Sequence, residues 1–439
     1  MSKDRRPLLY AAAIVILGIM AYRGSLFGKF LLDDLTLVVF NPHIRDLSGA
    51  AGLFSENIGA GMGPDVSSSF YRPFQMLTYA LDLRVWGLSY IGCHFTNLLL
   101  HISAALGLYY FVRMVSGRSL LAFLSGALFA VHPVNTEAVS YISGRADPLS
   151  AAFILLCLIS YVKYLDTNKV VYYALFPLCY IIAVFSRESA LLVIPLVLLY
   201  HYSFRRRISA AGLAPLVAVT GLYLIARACA LKSMLPHFIA PGPVMGRIAA
   251  FFAAFAEYIR ILFFPYGLHM EYGRKAFGFG DPLTLSGLAL FAVCVFFILK
   301  KRASRGLDLF CAGWFIIALL PVSNIFPLNA YMAEHWLYLP SAGFFVLVSS
   351  ALLYIYRIER TRLAAVALAV VVLGSYTMAT IKQNRYWSEP EFFYKKTLEY
   401  SPGSARMYTY LAVHYLMQNR QHDAETMFRK AEEIKRVSY

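Results

Sequence analysis

Charged residues are scarce in this sequence of 439 residues. Only 15% of the residues are Asp, Glu, Lys or Arg, whereas 59% are hydrophobic, and the mean hydropathy is +0.60. This composition excludes a soluble globular domain, and the length excludes a protein with a single membrane anchor. The sequence therefore predicts an all-α polytopic membrane protein.

Closely spaced cysteines are also missing. The six cysteines lie in or beside apolar runs without a CxxC pair, which excludes a disulfide framework and a zinc site. The 24 acidic residues are outnumbered by 40 basic ones, but the basic residues form short clusters between apolar segments, at 205–207, 300–305 and 357–362. Membrane topology and anionic lipid explain this pattern, so no nucleic-acid partner is expected.

The first apolar segment lacks a small-residue cleavage site, so we expect a retained helix with Lys3, Arg5 and Arg6 in the cytoplasm. Of twelve apolar segments, eleven crossings fit the basic clusters best. Residues 247–265 would then lie in the interface or re-enter without crossing. The polar stretches on the outer side are 27–90, which predicts interfacial helices, and 132–147, 232–283 and 324–336.

The composition changes after Lys382, which predicts a membrane domain over 1–382 and a soluble helical region over 383–439. The tail matches tetratricopeptide spacing, although an ordinary amphipathic helical hairpin remains the alternative. One and a half repeats cannot bury their own faces, so the tail must pack on the membrane domain or on a partner. The matching positions are Tyr408, Leu411, Ala412, Tyr415, Ala424, Phe428 and Ala431.

Ionisable residues recur at the outer ends of the predicted spans, where they indicate a functional cavity. The adjacent Asp33 and Asp34 exceed what helix capping requires, since one carboxylate suffices for a cap. Arginine binds phosphate with a fixed fork of donors, and a carboxylate can accept a proton from a hydroxyl. The other candidates are Arg72, His132, Glu137, Arg145, Asp147, Arg187, Glu188, Glu334, His335 and Tyr338.

Each of these candidates also has a structural interpretation. Arg145 with Asp147, and Arg187 with Glu188, would each serve as an ion pair that makes a helix end tolerable near the bilayer. Glu334 and His335 would anchor an interface. His132, directly before a proline, is more typical of a cap or a hydrogen-bonded core residue than of a metal ligand.

Six runs together resemble one known family in the correct order along nearly the whole chain. The sequence is similar to the transmembrane and tetratricopeptide-repeat proteins, which are protein O-mannosyltransferase-like members of the GT-C glycosyltransferase superfold. The tail is shorter than the repeat arrays of animal members, which points to a prokaryotic relative. The runs are 30–44, 71–79, 95–101, 129–149, 186–190 and 332–344, followed by the tail.

The resemblance implies a GT-C membrane domain of about eleven spans plus interfacial helices. It also implies transfer of a sugar from a polyprenyl- or dolichyl-phosphate to a hydroxyl acceptor, Ser or Thr of a protein, on the non-cytoplasmic face. The host would be a bacterial or archaeal plasma membrane, or the endoplasmic reticulum membrane in a eukaryote. The terminal repeats would present the acceptor protein, and no metal or other cofactor is expected.

The resemblance also assigns residues. Asp33 or Asp34 would be the base, and Arg145, with Arg187 as second candidate, would hold the donor phosphate. The cavity would be lined by Arg72, His132, Glu137, Asp147, Glu188, Glu334, His335 and Tyr338. Family sequences have Ala-Glu-Arg where this chain has Ala333-Glu334-His335. No phosphate role therefore carries over to position 335.

Two other classes of function are compatible with a polytopic chain. A transporter or lipid flippase should show inverted repeats and charges at mid-membrane, whereas this sequence has no internal duplication and its charges cluster at one set of helix ends. A non-catalytic scaffold would use the tail to recruit partners. Sugar transfer by Asp33→Asn and Asp34→Asn variants separates these alternatives.

Overall fold

The structure is a computed structural model that describes residues 6–46, 49–60, 68–231, 243–273, 275–301, 306–325, 327–328 and 330–437. Lys3, Arg5, Arg302 and Arg305, which entered the topology prediction, lie outside this range. Within it the regular structure is helical, without a strand. The helices are α1 (Arg6–Tyr22), α2 (Pro73–Trp86), α3 (Tyr90–Ser116), α4 (Ser119–Val131), α5 (Thr136–Ser140), α6 (Ala146–Thr167), α7 (Val170–Ser186), α8 (Val193–Ser203), α9 (Ala210–Ala230), α10 (Val244–Phe263), α11 (Pro282–Lys301), α12 (Leu307–Leu319), α13 (Tyr338–Arg357), α14 (Arg362–Ser388), α15 (Pro390–Tyr400), α16 (Ala405–Met417) and α17 (Gln421–Val437).

The chain is a multi-pass membrane protein. Seven helical stretches are long and apolar enough to cross a bilayer, and the bent pair Ser119–Val131 with Pro133–Ser140 makes eight. Three shorter apolar helices, Val170–Ser186, Glu188–Ser203 and Leu307–Val322, are not among these candidates, so the eleven crossings expected from the sequence stay a prediction. Among the described residues, α10 is not one of these candidates.

Small residues let the membrane helices approach closely. A Cβ atom on Gly126 of α4 would lie 3.0 Å from the Ala105 carbonyl oxygen of α3, and one on Gly343 of α13 would lie 2.6 Å from the Cys311 carbonyl oxygen of α12. Such contacts replace the hydrophobic effect as the main packing force between helices in lipid. They fix the frame whose helix ends carry the polar residues.

Both flanks of α10 contact segments that the topology places outside. Near its start, Arg247 donates to the Ile325 carbonyl oxygen at 2.7 Å. Just past its end, the His269 amide donates to Glu334 Oε1 at 2.6 Å. A helix that crossed the membrane would bring its two flanks to opposite faces, so these contacts favour the prediction that residues 247–265 do not cross.

The C-terminal tail packs against the membrane part. α14 continues past residue 382 to Ser388, and α15 begins two residues later, so the predicted boundary at 382/383 falls inside a helix. Phe393 of α15 lies in one apolar cluster with Trp387, Leu31 and Leu32. α16 and α17 form the helix pair that the repeat spacing predicts, and its small residues Ala412, Ala424 and Ala431 are buried.

Candidate active site

The two aspartates follow a strained turn, which we call the acid loop (residues 28–41). Leu32 has φ = +46°, a conformation that a branched side chain rarely adopts. Its amide donates to the Tyr394 hydroxyl of α15 at 3.3 Å, and the Asp33 amide donates to the Tyr141 hydroxyl at 3.0 Å. Strain of this kind costs about 1–3 kcal/mol and persists where neighbouring structure holds it.

Asp34 points into the protein. Its Oδ1 accepts from the Ser143 amide at 2.8 Å and from the Ser143 hydroxyl at 2.5 Å, and its Oδ2 accepts from the Leu31 amide at 3.0 Å. Burial raises the pKa of Asp34 to about 7, although the hydrogen bonds from Ser143 and Leu31 lower it. Asp34 therefore fastens the acid loop to the loop around Ser143, and its oxygens are already occupied.

Asp33 points the other way. Its side chain is half-buried, and its Oδ1 accepts from the Tyr410 hydroxyl of α16 at 3.3 Å. The two adjacent carboxylates thus have different environments, as the sequence predicts for a base and an orienting group. Asp33 is the less buried of the two acids.

One short stretch, residues 137–147, connects the acids to the basic residues, and we call it the bridge segment. The helix breaks here into α5, a 3₁₀ turn and α6. Gly144 permits the turn, since a Cβ atom would lie 2.6 Å from the Glu137 carbonyl oxygen. Ser143 contacts Asp34, and four residues later Asp147 contacts Arg187, so at most about 14 Å of backbone separates these contacts.

Three arginines converge beyond the bridge segment, and Arg72, Arg187 and Arg227 form what we call the arginine cluster. Arg187 Nη1 lies 2.7 Å from Asp147 Oδ2. Arg72 makes a forked pair with Glu188, with Nε–Oε2 at 3.1 Å and Nη2–Oε1 at 3.2 Å, and Arg227 Nη1 lies 4.0 Å from Glu188 Oε1. The three side chains are partly accessible, with 12–14% of each exposed.

Arg145 lies elsewhere. Its side chain is fully buried. Nη2 pairs with Asp82 at 2.5 Å and also donates to the Cys93 carbonyl oxygen at 2.9 Å, while Nε donates to Asn97 Oδ1 at 2.7 Å. It also lies over the Tyr79 ring. This geometry favours a structural role for Arg145, but its partner is Asp82 and not the expected Asp147. Arg187, which pairs with Asp147 and not with the expected Glu188, is the better candidate for the phosphate, and both roles stay predictions.

Two further acids flank the cluster. Glu137 accepts from the His335 amide at 2.9 Å and pairs with its Nδ1 at 2.6 Å. Glu334 accepts from the His269 amide and from the Tyr272 hydroxyl at 2.8 Å, and no hydrogen-bond partner for its Oε2 occurs in the described part of the chain. His335 thus contacts an acid through both its amide and its ring.

Two predicted cavity residues lie in the packed interior instead. His132 is fully buried, with Nε2 at 3.1 Å from the Leu262 carbonyl oxygen and Nδ1 accepting from the Val134 amide at 3.1 Å. Tyr338 is also fully buried, and its hydroxyl lies 2.7 Å from His101 Nδ1. The structure does not bring either side chain into the arginine cluster.

Sequence reasoning missed Arg227, Ser143, Tyr141 and Asp82. Arg227 carried a usable signal, because an arginine at the outer end of an apolar segment runs against the positive-inside tendency. Ser143 and Tyr141 carried none, since each is an ordinary loop residue whose partner lies more than a hundred positions away. Over the described ranges, no cluster of three or more His, Cys, Asp or Glu side chains could hold a metal ion; the metal requirement stays a prediction.

The chain is similar to two curated relatives over most of its length. It is 27% identical over 418 residues to protein O-mannosyl-transferase F38B6.6 of Caenorhabditis elegans, which covers 90% of this chain and 58% of that protein. It is 24% identical over 493 residues to protein O-mannosyl-transferase Tmtc3 of Drosophila melanogaster, with 93% and 53% covered. The resemblance predicted from the sequence is confirmed. The chain thus spans little more than half of each of these relatives, and no protein-family model matches it.

A solved structure shares the architecture. The oligosaccharyltransferase of Archaeoglobus fulgidus, crystallised with a tethered acceptor peptide, superposes with a TM-score of 0.52 at 12% identity, covering 93% of this chain and 59% of that one. At that identity the likeness establishes the fold alone. The fold is GT-C, as the sequence predicts.

Proposed function

We propose that this chain is a membrane glycosyltransferase that moves a sugar from a polyprenyl- or dolichyl-phosphate to a hydroxyl of a protein acceptor, Ser or Thr. The relatives named protein O-mannosyl-transferases support the sugar-transfer chemistry and favour mannose. The observation that carries the proposal is the bridge segment. It holds an accessible acid on one side and a partly accessible arginine cluster on the other.

Asp33 is the better candidate for the base. A general base must come within hydrogen-bond reach of the acceptor hydroxyl. Asp34 is buried with both carboxylate oxygens already accepting, whereas Asp33 is half-buried and accepts one long bond from Tyr410. Asp34 then orients the loop that presents Asp33.

The arginine cluster suits the donor phosphate. In a single displacement, the acceptor oxygen bonds to the anomeric carbon while the bond from that carbon to the phosphate oxygen breaks. The acceptor proton passes to Asp33, and the electron pair leaves with the lipid phosphate, whose added charge the arginines stabilise. Arg187 and Arg72 supply fixed cations for this purpose, so we expect transfer to proceed without a divalent metal.

The site residues lie at helix ends that the positive-inside tendency predicts to face outward, so the reaction would take place on the non-cytoplasmic face. The archaeal structure with its tethered acceptor peptide supports a peptide acceptor for the fold in general terms. We propose a bacterial or archaeal plasma membrane as the host, and a role for the terminal repeats in presenting the acceptor.

The test uses the full chain in nanodiscs with synthetic polyprenyl-phosphate-mannose and a peptide rich in Ser and Thr. Mass spectrometry should detect one added hexose per modified hydroxyl. Asp33→Asn should reduce the rate by about 10²–10⁴-fold, the usual contribution of a general base.

Asp166→Asn is the matched control, because it makes the same change at a half-exposed carboxylate that pairs with Arg206 near the opposite helix ends. Exposed pairs contribute little to stability, so its rate should equal that of the original chain. An unchanged rate in Asp33→Asn would refute Asp33 as the base. Absence of hexose transfer by the original chain from mannosyl, glucosyl and galactosyl donors would refute the enzyme itself.

A further inference from the structure

Tyrosine hydroxyls from three different segments bond to the acid loop. The Tyr394 hydroxyl of α15 accepts from the Leu32 amide at 3.3 Å. The Tyr410 hydroxyl of α16 donates to Asp33 Oδ1 at 3.3 Å. The Tyr141 hydroxyl of the bridge segment accepts from the Asp33 amide at 3.0 Å. Two of the three hydroxyls therefore reach the strained turn and the candidate base from the tail.

The aromatic rings that carry these hydroxyls are held by other rings. Tyr394 and Tyr410 stack on each other, with an interplanar angle of 3° and ring centroids 6.1 Å apart. Tyr141 stacks on Trp387 near the end of α14, with centroids 5.6 Å apart. Trp387 in turn packs on Phe393 of α15, with centroids 5.0 Å apart. Packed aromatic pairs have defined relative orientations, so the position of each hydroxyl is fixed.

The start of the acid loop is also fastened to the start of the tail. The Lys29 amide donates to the Ser388 carbonyl oxygen at 3.0 Å. Lys29 Nζ pairs with Glu389 at 2.9 Å, although both side chains are more than half exposed and such a pair contributes little to stability. Within the described part of the chain, the donor to the Asp33 carboxylate is Tyr410, and it bonds Oδ1 alone.

We propose that Tyr410 is a positioning residue that holds Oδ1 of Asp33 and leaves Oδ2 to take the proton of the acceptor hydroxyl. Tyr394 supports this arrangement by holding the strained turn at Leu32. The inference rests on the proposed function, because it assigns Asp33 the task of the base. During transfer the acceptor proton passes to Oδ2, and the O–H bond of Tyr410 stays intact. The tail then completes the catalytic centre, beyond any part it plays in presenting the acceptor.

Apolar packing alone does not require the Tyr410 hydroxyl. Leu31, Trp387 and Phe393 already join the acid loop and the tail in one cluster. A phenylalanine at position 410 would keep the ring on Tyr394 and lose only the bond to Asp33. The carboxylate would then rotate freely, because the terminal torsion of an aspartate has a broad distribution. Such freedom matters at a reacting group, where a displacement of about 1 Å can reduce a rate by about 100-fold.

The test measures kcat and KM for sugar transfer by the full-length chain in nanodiscs, with synthetic polyprenyl-phosphate-mannose as the donor. Tyr410→Phe should lower kcat by about 10-fold, the size expected for one hydrogen bond to a charged group. The KM for the lipid donor should stay unchanged, because the arginine cluster is intact. Tyr394→Phe should also lower kcat at an unchanged donor KM, since it leaves the Leu32 amide without its acceptor.

Tyr408→Phe is the matched control. Tyr408 is a half-buried tyrosine of α16 like Tyr410, but its ring lies beside Lys430 of α17. Its loss of a hydroxyl should leave both kcat and KM as they are in the original chain. A kcat that is equal in Tyr410→Phe and in the original chain would overturn the proposal, even if sugar transfer itself is robust.

A second measurement works without activity. In a double-mutant cycle on the thermal midpoint Tm, Tyr410→Phe should lower Tm in the original chain but leave it unchanged in an Asp33→Ala background, because contacting residues are coupled. Alanine is used here because the side-chain oxygen of an asparagine would still accept the bond. Equal Tm changes in both backgrounds would overturn the proposal. Absence of sugar transfer by the original chain would refute the proposed function, and the cycle would still decide the contact.

Discussion

At the residue scale, the two adjacent aspartates differ because one turn sends them in opposite directions. Leu32 adopts a left-handed conformation. The Tyr394 hydroxyl accepts from the Leu32 amide, and the Tyr141 hydroxyl accepts from the Asp33 amide. Asp34 turns inward to Ser143. Two identical side chains then meet different solvent exposure and different partners. The pair thus divides into an anchor and a reactive group.

The raised pKa of Asp34 predicts a pH-dependent stability. Its folded value of about 7 exceeds the ordinary value of 3.8, so the folded state binds the proton more tightly. This contribution is fully present below pH 4 and disappears as the pH rises to 7, with a loss of at most about 4 kcal/mol. Between pH 4 and 7 the Tm of the original chain should fall relative to that of Asp34→Asn, measured by tryptophan fluorescence in detergent.

Asp33→Asn is the comparison for that measurement: it removes a neighbouring charge that helps raise the pKa of Asp34, so it should weaken the pH dependence without abolishing it. A Tm difference between the original chain and Asp34→Asn that stays constant from pH 4 to 7 would contradict the prediction.

The arginine cluster predicts a loss of donor recognition. Arg187→Gln removes a charge-assisted contact to the phosphate and should lower kcat/KM for the lipid donor by about 100-fold. Arg206→Gln, which breaks the exposed pair with Asp166, should change it less than two-fold. Binding of polyprenyl phosphate without a sugar can be measured as a ligand-induced rise in Tm, and it should also weaken in Arg187→Gln. Undiminished binding in Arg187→Gln would assign Arg187 a structural role.

Arg145 shows where residue-level prediction ends. The sequence placed it beside Asp147, and both structural and phosphate roles were open. The structure pairs it with Asp82 of α2, 63 positions earlier. No sequence pattern near either residue indicates this contact. A partner that distant becomes visible only when helices α2, α3 and α6 have packed.

At the element scale, α15 secures the tail to the membrane part. Phe393 is fully buried in the cluster with Trp387, whereas its neighbour Phe392 is 51% exposed. Phe393→Ala should lower the free energy of unfolding by about 3–5 kcal/mol, the usual cost of removing a buried aromatic side chain. Phe392→Ala should change it by about 0.5 kcal/mol or less, as a surface substitution does.

Chemical denaturation of the purified chain checks this pair. Because the acid loop rests on α15, Phe393→Ala should also reduce sugar transfer at temperatures where the membrane helices remain folded. Equal stability of the two variants would show that the tail contributes little to the fold.

At the scale of the whole molecule, α10 decides the topology. Met245, in the first turn of the helix, and Tyr266, just after its end, are exposed. If α10 does not cross, cysteines at both positions should react with an impermeant maleimide added from outside to right-side-out vesicles, in a background without the natural cysteines. Cysteine in place of Tyr354, at the inner end of α13, should stay unlabelled; opposite labelling of positions 245 and 266 would show a crossing.

The global plan of the molecule was accessible from the sequence, because membrane spans are long apolar runs that each satisfy their own backbone hydrogen bonds. The long apolar spans and the helical tail followed from that rule. The docking of the tail on the acid loop did not, since Tyr394 and Tyr410 meet partners more than 350 positions away. The resemblance supplied the family, but no pattern in the tail indicated those contacts.

The unbroken course of α14 has a consequence for how an acceptor approaches. Its 27 residues form a rod of about 40 Å that passes directly into the tail with one residue between helices. A connection of one residue allows little rotation of the tail relative to α14. A protein held by the tail would therefore reach Asp33 in one fixed orientation. Choice among acceptors would then depend on their shape in the neighbourhood of the hydroxyl more than on any short sequence motif.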